Sequence, residues 1–362
     1  MNKLIIADSF NDANMFYATK VLVPDPFIFL SLKNKNYVLV NTLEFSRIKQ
    51  EAKSSTIVLS EEKYVKKAKS KFKKINLATI ACLFLKEKGI KKINVPYNFP
   101  LIYAEELKKN NIKTKILSPF LDRSIKSSEE IKEIEKVQKI VDLAFTKISR
   151  IIKSSKEKNN FLFYNGRKIT SEYLKEVAEE LFIHYGLESP EGIIISSGKN
   201  TSYPHKEGEG SIHAGVPIVM DIYPRSIKSR YFSDFTRTLC KGRPKAQKIQ
   251  EIYNIVLEAQ KAAINLIKEG ISCKTLHDAV LSVFKKYKME KFFIHSTGHG
   301  VGIELHESPL IPSKTKLQAG MIITIEPGLY IPNLGGVRIE DIFLVKKNGY
   351  KALSKISKKF IV

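Results

Sequence analysis

The sequence predicts an α/β domain followed by an α+β domain, and three observations carry that prediction. Its 362 residues are enough for two cores. Residues 1–120 alternate short apolar strands with helices, the pattern of an α/β segment with a mostly parallel or mixed sheet. Residues 127–362 instead combine long amphipathic helices with β-branched strands, several of which carry an acid.

In the first domain Leu4–Ala7, Phe27–Leu32, Tyr37–Val40, Thr56–Ser60, Ile93–Val95 and Ile112–Leu117 read as strands. Leu43–Ala52, Leu77–Lys88 and Leu101–Asn110 read as helices. Phe27–Leu32 and Tyr37–Val40 form an expected hairpin across Lys33-Asn34-Lys35-Asn36. No catalytic cluster is visible there.

A boundary is expected at Ser118-Pro119-Phe120-Leu121-Asp122-Arg123. Ser127 and Glu130 then make an S-x-x-E capping box. It opens a helix with apolar residues at Ile131, Ile134, Val137, Val141, Ala144, Phe145 and Ile148. Helical periods recur at Ser171–Tyr185, at Lys245–Lys268, stopped by Gly270, and at Lys274–Tyr287. Strands are expected at Gly192–Ser196, Val216–Tyr223, Tyr231–Leu239, Met321–Ile325 and Val337–Lys346. Each half has a pair of acid-bearing strands, which suggests an internal pseudo-twofold repeat.

Composition is that of a globular protein, with 43% apolar and 27% charged residues. No apolar run reaches the ~18–20 residues that span a bilayer, and the N-terminus lacks the apolar stretch of a signal peptide. Cys82, Cys240 and Cys273 are widely spaced in apolar contexts and read as buried thiols, so a cytoplasmic location is expected. The formal charge of +24 comes mostly from lysines on helix faces and in turns, without a recognition motif. A lysine-rich proteome accounts for it, and no specific nucleic acid or membrane partner is expected.

The chemistry lies in Val219-Met220-Asp221-Ile222, Ile323-Thr324-Ile325-Glu326 and Val337-Arg338-Ile339-Glu340. A carboxylate buried in such a run costs several kcal/mol unless it is protonated, paired or bound to metal. Together with Asp234 and His299 these acids suggest convergence on hard or borderline divalent ions, Mn, Fe, Co or Zn. Two bridged metals imply an activated water and hydrolysis. Glycine on both sides of His299 lets backbone approach a crowded centre closely. Adjacent strand residues face opposite ways, so only one of Glu340 and Asp341 can enter the site.

Four motifs occur in order: Ser233-Asp234-Phe235-Thr236-Arg237-Thr238; Gly298-His299-Gly300-Val301-Gly302 followed by Leu305-His306-Glu307; Ile325-Glu326-Pro327-Gly328-Leu329-Tyr330; and Val337-Arg338-Ile339-Glu340-Asp341. They resemble successive signatures of the pita-bread (M24) metallopeptidases, within them the Xaa-Pro aminopeptidase and Xaa-Pro dipeptidase (prolidase) branch, over residues 127–350. The resemblance implies a curved antiparallel sheet backed by helices, with the metals in its concavity, behind a creatinase/prolidase-like N-terminal domain. It implies two divalent ions per chain, Mn first, held by Asp221, Asp234, His299, Glu326 and Glu340. Asp234 and Glu340 would bridge, and Glu326 would also carry a proton. His205 and His306 match histidines that stabilise and orient the reacting peptide; His295 and Arg338 are expected at the substrate, Arg338 alternatively as a brace for Asp221.

The implied reaction is hydrolysis by a metal-bridging hydroxide of the bond before a proline in second position, in a homodimer. Rival readings are a general or methionine aminopeptidase of the same fold, a creatinase-like amidinohydrolase, and a non-catalytic interaction module. The intact ligand set argues against the last two. One departure stands out: Pro224-Arg225-Ser226-Ile227-Lys228-Ser229-Arg230 separates Asp221 from Asp234 by more than the commoner family spacing, which predicts a longer hairpin loop or a bulge. His213 is expected to be solvated, and His184 and His277 to be structural residues on helices.

Overall fold

The computed structural model describes residues 1–118, 120 and 122–362, so Pro119 and Leu121 of the expected boundary lie outside the described residues. The chain divides between Asp122 and Arg123 into two units.

The first unit runs β1 (Lys3–Ala7), α1 (Ala13–Thr19), β2 (Phe27–Leu32), β3 (Lys35–Val40), α2 (Thr42–Glu51) and β4 (Thr56–Ser60). It continues with α3 (Glu62–Lys69), α4 (Leu77–Glu87), β5 (Lys92–Val95), α5 (Leu101–Lys109) and β6 (Lys113–Ile116). The strands form one mixed sheet in the order β4-β3-β2-β1-β5-β6. Alternation along β1 and β2 sends Leu4, Ile6, Ile28 and Leu30 into one core with Phe84, and Ile5, Phe27 and Phe29 into another with Met15 and Ile48. The β2–β3 turn is tighter than expected: Lys33 and Asn34 both have positive φ, 47° and 65°, and β3 already begins at Lys35. Sequence reading missed α1 and α3. The first has seven residues, and the second buries only Tyr64 and Ala68 under a coat of lysines. Neither has a long enough apolar stripe to show a period.

The second unit begins with α6 (Ser128–Ser154), whose capping box is formed by Ser127 and Glu130. Then come β7 (Lys156–Lys158), β8 (Phe161–Tyr164), β9 (Arg167–Lys168), α7 (Ser171–His184), β10 (Leu187–Glu188), β11 (Ile194–Ser197), β12 (Ile218–Ile222), β13 (Arg225–Ser226) and β14 (Phe235–Leu239). The C-terminal half contains α8 (Gln247–Ile264), α9 (Cys273–Lys286), β15 (Gly298–Gly300), β16 (Glu307–Ile311) and β17 (Ile322–Ile325). It ends with β18 (Gly328–Ile331), β19 (Gly335–Arg338), β20 (Asp341–Lys346) and β21 (Gly349–Ala352).

All strand pairing that frames the site is antiparallel: β11-β12-β14 in one half, β16-β15-β17-β20-β21 in the other, and the β18–β19 hairpin. Each half backs its sheet with two helices. Val141, Phe145 and Leu174 of α6 and α7 pack on Met220 and Phe235, while Ile252, Val256 and Leu276 of α8 and α9 pack on Ile323 and Phe343.

The short strands β7, β8, β9, β10, β13, β15, β16, β18 and β21 were not expected, and three expected elements have other bounds. The strand expected over Tyr231–Leu239 starts only at Phe235, and the helix expected to run to Lys268 ends at Ile264. The strand expected over Val337–Lys346 breaks at Ile339-Glu340, because the chain changes partners there: β19 pairs with β18, whereas β20 pairs with β17. At the break Glu340 N–H donates instead to the Thr236 carbonyl, 3.0 Å away.

Candidate active site

Strand ends and strand breaks deliver the acids. Asp221 is inside β12, Asp234 immediately precedes β14, Glu326 immediately follows β17, and Glu340 sits between β19 and β20. His299 is the middle residue of the three-residue β15. A Cβ added to Gly298 would stand 2.1 Å from the Thr324 carbonyl oxygen, and one on Gly300 would stand 2.4 Å from that of Ser308. Only glycine lets β15 pass between its neighbours there, which is the physical reason for the Gly-His-Gly sequence.

One cavity of about 470 Å³ is lined by Asp221, Asp234, His299, Glu326 and Glu340 together with His205, His295, His306 and Arg338. Every site residue expected from sequence therefore lines this one cavity. Ligand atoms of Asp234, His299 and Glu340 all lie within 4.8 Å of one another. His299 Nε2 is 3.5 Å from Asp234 Oδ2 and 3.5 Å from Glu326 Oε1. The other ring nitrogen, Nδ1, is 3.2 Å from the Gly300 carbonyl oxygen. A proton on Nδ1 donated to that carbonyl leaves the Nε2 lone pair facing the acids. Burial first, and His306 second, hold the His299 imidazole down at about 3, so it is neutral and able to ligate.

So many buried acids call for a bound cation or for protons to neutralise them. Asp221, Asp234, Glu326 and Glu340 face one guanidinium, that of Arg338. Burial, then repulsion from Asp221, pushes the Glu340 carboxyl up to about 8; burial and repulsion from Glu340 raise Asp234 and Glu326 as well. Thr236 Oγ1 touches both Asp221 Oδ1 (2.7 Å) and Glu340 Oε2 (2.8 Å). A hydroxyl carries one proton, so it satisfies one of these carboxylates at a time. Glu340 Oε1 is buried without any hydrogen-bond partner among the described residues. Such an orphan costs ~1–3 kcal/mol or more if charged. One neutral nitrogen among oxygens fits divalent metal ions.

Supporting residues are less visible in sequence. Arg338 donates from Nη2 to Asp221 Oδ2 (2.5 Å), from Nη1 to the Tyr330 hydroxyl (2.8 Å) and from Nε to Thr236 Oγ1 (3.2 Å). It braces Asp221; it does not pair with Glu340. Tyr330 in turn meets His295 Nε2 at 2.9 Å, and burial, then Arg338, lowers the His295 imidazole to about 4. Asp341 faces away from the cavity, toward the fully buried Arg237 at 2.5 Å and Lys358 at 2.7 Å. Arg237 Nη1 also donates to the Glu340 carbonyl (2.5 Å), and Gln260 Nε2 bonds the carbonyls of Ile325 and Ile339, 3.1 Å from each. His277, placed on a helix by sequence, meets Thr297 Oγ1 at 2.8 Å, and the Thr297 carbonyl accepts the Glu326 N–H. His213 is half-buried against Phe161 rather than solvated, the ring centroids 4.6 Å apart.

Between Asp221 and Asp234 the chain makes a hairpin loop. Ser226 N–H donates to the Tyr231 carbonyl, and Glu188 Oε1 clamps the excursion through Arg225 (2.7 Å) and Arg230 (2.8 Å). The hairpin register below it is regular, with Asp221 opposite Thr236, and both acids reach the cavity.

Among known proteins, the Metallopeptidase family M24 matches residues 132–347. The Xaa-Pro dipeptidase of Pyrococcus horikoshii is 40% identical over 282 residues, 75% of this chain and 76% of that protein. That of Pyrococcus furiosus is 40% identical over 244 residues, 66% of this chain and 65% of that protein. The solved structure of the prolidase from Pyrococcus furiosus superposes with a TM-score of 0.80 at 31% identity, covering 98% of this chain and 96% of that one. The matched stretch contains all five candidate ligands and the cavity between them, and the chain belongs to metallopeptidase family M24.

Proposed function

We propose that this peptidase hydrolyses the bond between an N-terminal residue and a following proline, as an Xaa-Pro dipeptidase or aminopeptidase. The observation that carries the reading is the unpartnered, buried Glu340 Oε1 inside a ring of three further carboxylates and a neutral imidazole. The names of the relatives support proline in second position.

Asp221, Asp234, His299, Glu326 and Glu340 would hold two divalent ions. Mn is the proposed metal, and Co, Zn or Fe also suit one nitrogen among oxygens. Such ions supply Lewis acidity and make a bound water acidic near neutral pH. Glu326, at the end of β17 and partly open to the cavity, takes the proton from the attacking water and returns it to the proline nitrogen as the C–N bond breaks. His205 and His306, both exposed to the cavity, donate to the oxygen that gains charge on the scissile carbonyl. His295, held by Tyr330, forms a wall against the proline ring, and Arg338 keeps the Asp221 carboxylate in place.

A cytoplasmic location and a homodimer belong to the same proposal. Three buried thiols support the first, and sedimentation would decide the second. No helix among the described residues is long and apolar enough to cross a membrane. The deciding experiment is a cleavage series on metal-reconstituted enzyme with Xaa-Pro, Xaa-Pro-Yaa and Xaa-Ala-Yaa. Turnover confined to the first two supports the proposal, and preference for the third refutes it.

A further inference from the structure

The loop Val301–His306 joins β15 to β16 and ends on His306, whose ring lies 4.1 Å from that of His299. Among the described residues the His306 imidazole makes no hydrogen bond with the protein, so its position depends on the backbone that carries it. That backbone is organised by the next side chain. Glu307 Oε1 accepts the N–H groups of Ile303 (3.0 Å) and Glu304 (3.2 Å). A Cβ on Gly302 would stand 2.3 Å from Glu307 Oε2, so the carboxylate packs directly over the glycine.

The carboxylate itself is buried and is held from a distant part of the chain. Lys126 Nζ lies 3.2 Å from Glu307 Oε2, and Arg123 Nε 3.4 Å from Oε1. The Lys126 and Glu307 side chains are only 1% and 3% exposed. Arg123 also pairs with Glu304 on the loop, and the Lys126 N–H donates to the Gly320 carbonyl. A lysine is almost never fully buried unless it is paired, and burying this pair costs several kcal/mol that solvent exposure would avoid. A surface cap would hold a loop more cheaply, so stability alone is a poor reason for this arrangement.

We infer that Lys126 and Glu307 are positioning residues for His306: their ion pair fixes the Val301–His306 loop and thereby the histidine at the reacting carbonyl. The inference rests on the catalytic reading of His306 above. Neither residue lines the cavity. Without the lysine, Glu307 keeps only the longer Arg123 contact, its hold on the Ile303 and Glu304 N–H groups loosens, and His306 drifts. A displacement of ~1 Å at a catalytic group costs on the order of 10²-fold in rate.

The test uses metal-loaded full-length enzyme carrying Lys126→Met, with and without His306→Ala, assayed on a proline peptide. Amide exchange across Val301–His306 is measured in parallel. Lys126→Met should lower kcat on the order of 10²-fold with KM and metal content unchanged, and should speed exchange in the loop. In the His306→Ala background the same substitution should have almost no further effect on kcat, because both changes remove one function. Equal losses in both backgrounds, or unchanged loop exchange, would overturn the inference. If Lys126→Met does not fold, Lys126→Met/Glu307→Leu removes both charges and the acceptor of the two loop N–H groups, and is read in the same way. If His306→Ala alone keeps wild-type turnover, the catalytic reading of His306 fails, and loop exchange alone decides the positioning claim.

Discussion

Arg237 ties together the strands that carry the candidate ligands, and replacing it by methionine tests how they are held. The guanidinium is 1% exposed and donates to Asp341 Oδ1 and to the carbonyls of Thr236, Glu340 and Ile356. Methionine fills a similar volume but leaves Asp341 with Lys358, whose side chain is 26% exposed, and Gln260 as remaining partners. Removing one member of a buried pair costs ~3–5 kcal/mol. For a domain of this size each kcal/mol lowers Tm by ~2–4 °C, so the expected fall is roughly 6–20 °C. The loss of the Glu340 carbonyl contact should also weaken metal binding. Calorimetry at equal metal loading reads the first effect, and metal titration reads the second. A Tm within ~2 °C of wild type, which corresponds to at most about 1 kcal/mol, would refute the idea that this network carries the ligand strands.

Other perturbations act on the cavity itself. Glu340, Asp234 and Glu326 have carboxyls raised in the folded chain, so the stability that their protonated forms contribute is fully present below the unfolded carboxyl range near ~4.3 and is lost as pH rises through about 8 for Glu340. Metal-free protein should therefore lose Tm from pH 5 to 8 relative to metal-loaded protein; parallel curves would contradict this. His299→Ala should lose metal, whereas His205→Ala and His306→Ala should keep it and lose ~10²–10³-fold in kcat; wild-type turnover in either of the latter would remove its catalytic role. Ala-Pro should be cleaved at least ~10-fold better in kcat/KM than Ala-Ala, about 1.4 kcal/mol of differential transition-state binding. Equal rates would leave a general aminopeptidase, and preference for Met-Ala would point to the methionine branch.

What could be read from sequence follows from cost. An acid inside Ile323-Thr324-Ile325-Glu326 or Val219-Met220-Asp221-Ile222 is too expensive to be idle, so its position in an apolar run already signals a group that is protonated, paired or offered to a metal. Long amphipathic helices such as α6 were legible for the same reason, since their apolar stripe and capping box are local. Other features depend on partners far along the chain. Thr236 looks like an ordinary strand residue until Glu340 lies 2.8 Å away, and Tyr330 until Arg338 and His295 meet its hydroxyl. Lys126 and Glu307 are 181 positions apart, and neither residue's neighbours announce the other. The break at Glu340 was illegible because β-branched residues continue on both sides, and only the exchange of partner strands ends the pairing. Short helices such as α1 failed for lack of a periodic window.

Metal content and activity, measured on the same samples, decide whether the four carboxylates and His299 hold working ions. Wild-type enzyme is stripped by chelation, its residual metal is quantified, and Mn is added back in steps while Ala-Pro hydrolysis and bound metal are followed together, with Asp234→Ala as the companion. The account predicts no turnover in stripped wild-type protein, recovery that saturates near two ions per chain, and loss of metal occupancy with activity in Asp234→Ala. Full turnover in rigorously metal-free protein, or wild-type metal content in Asp234→Ala, would contradict it.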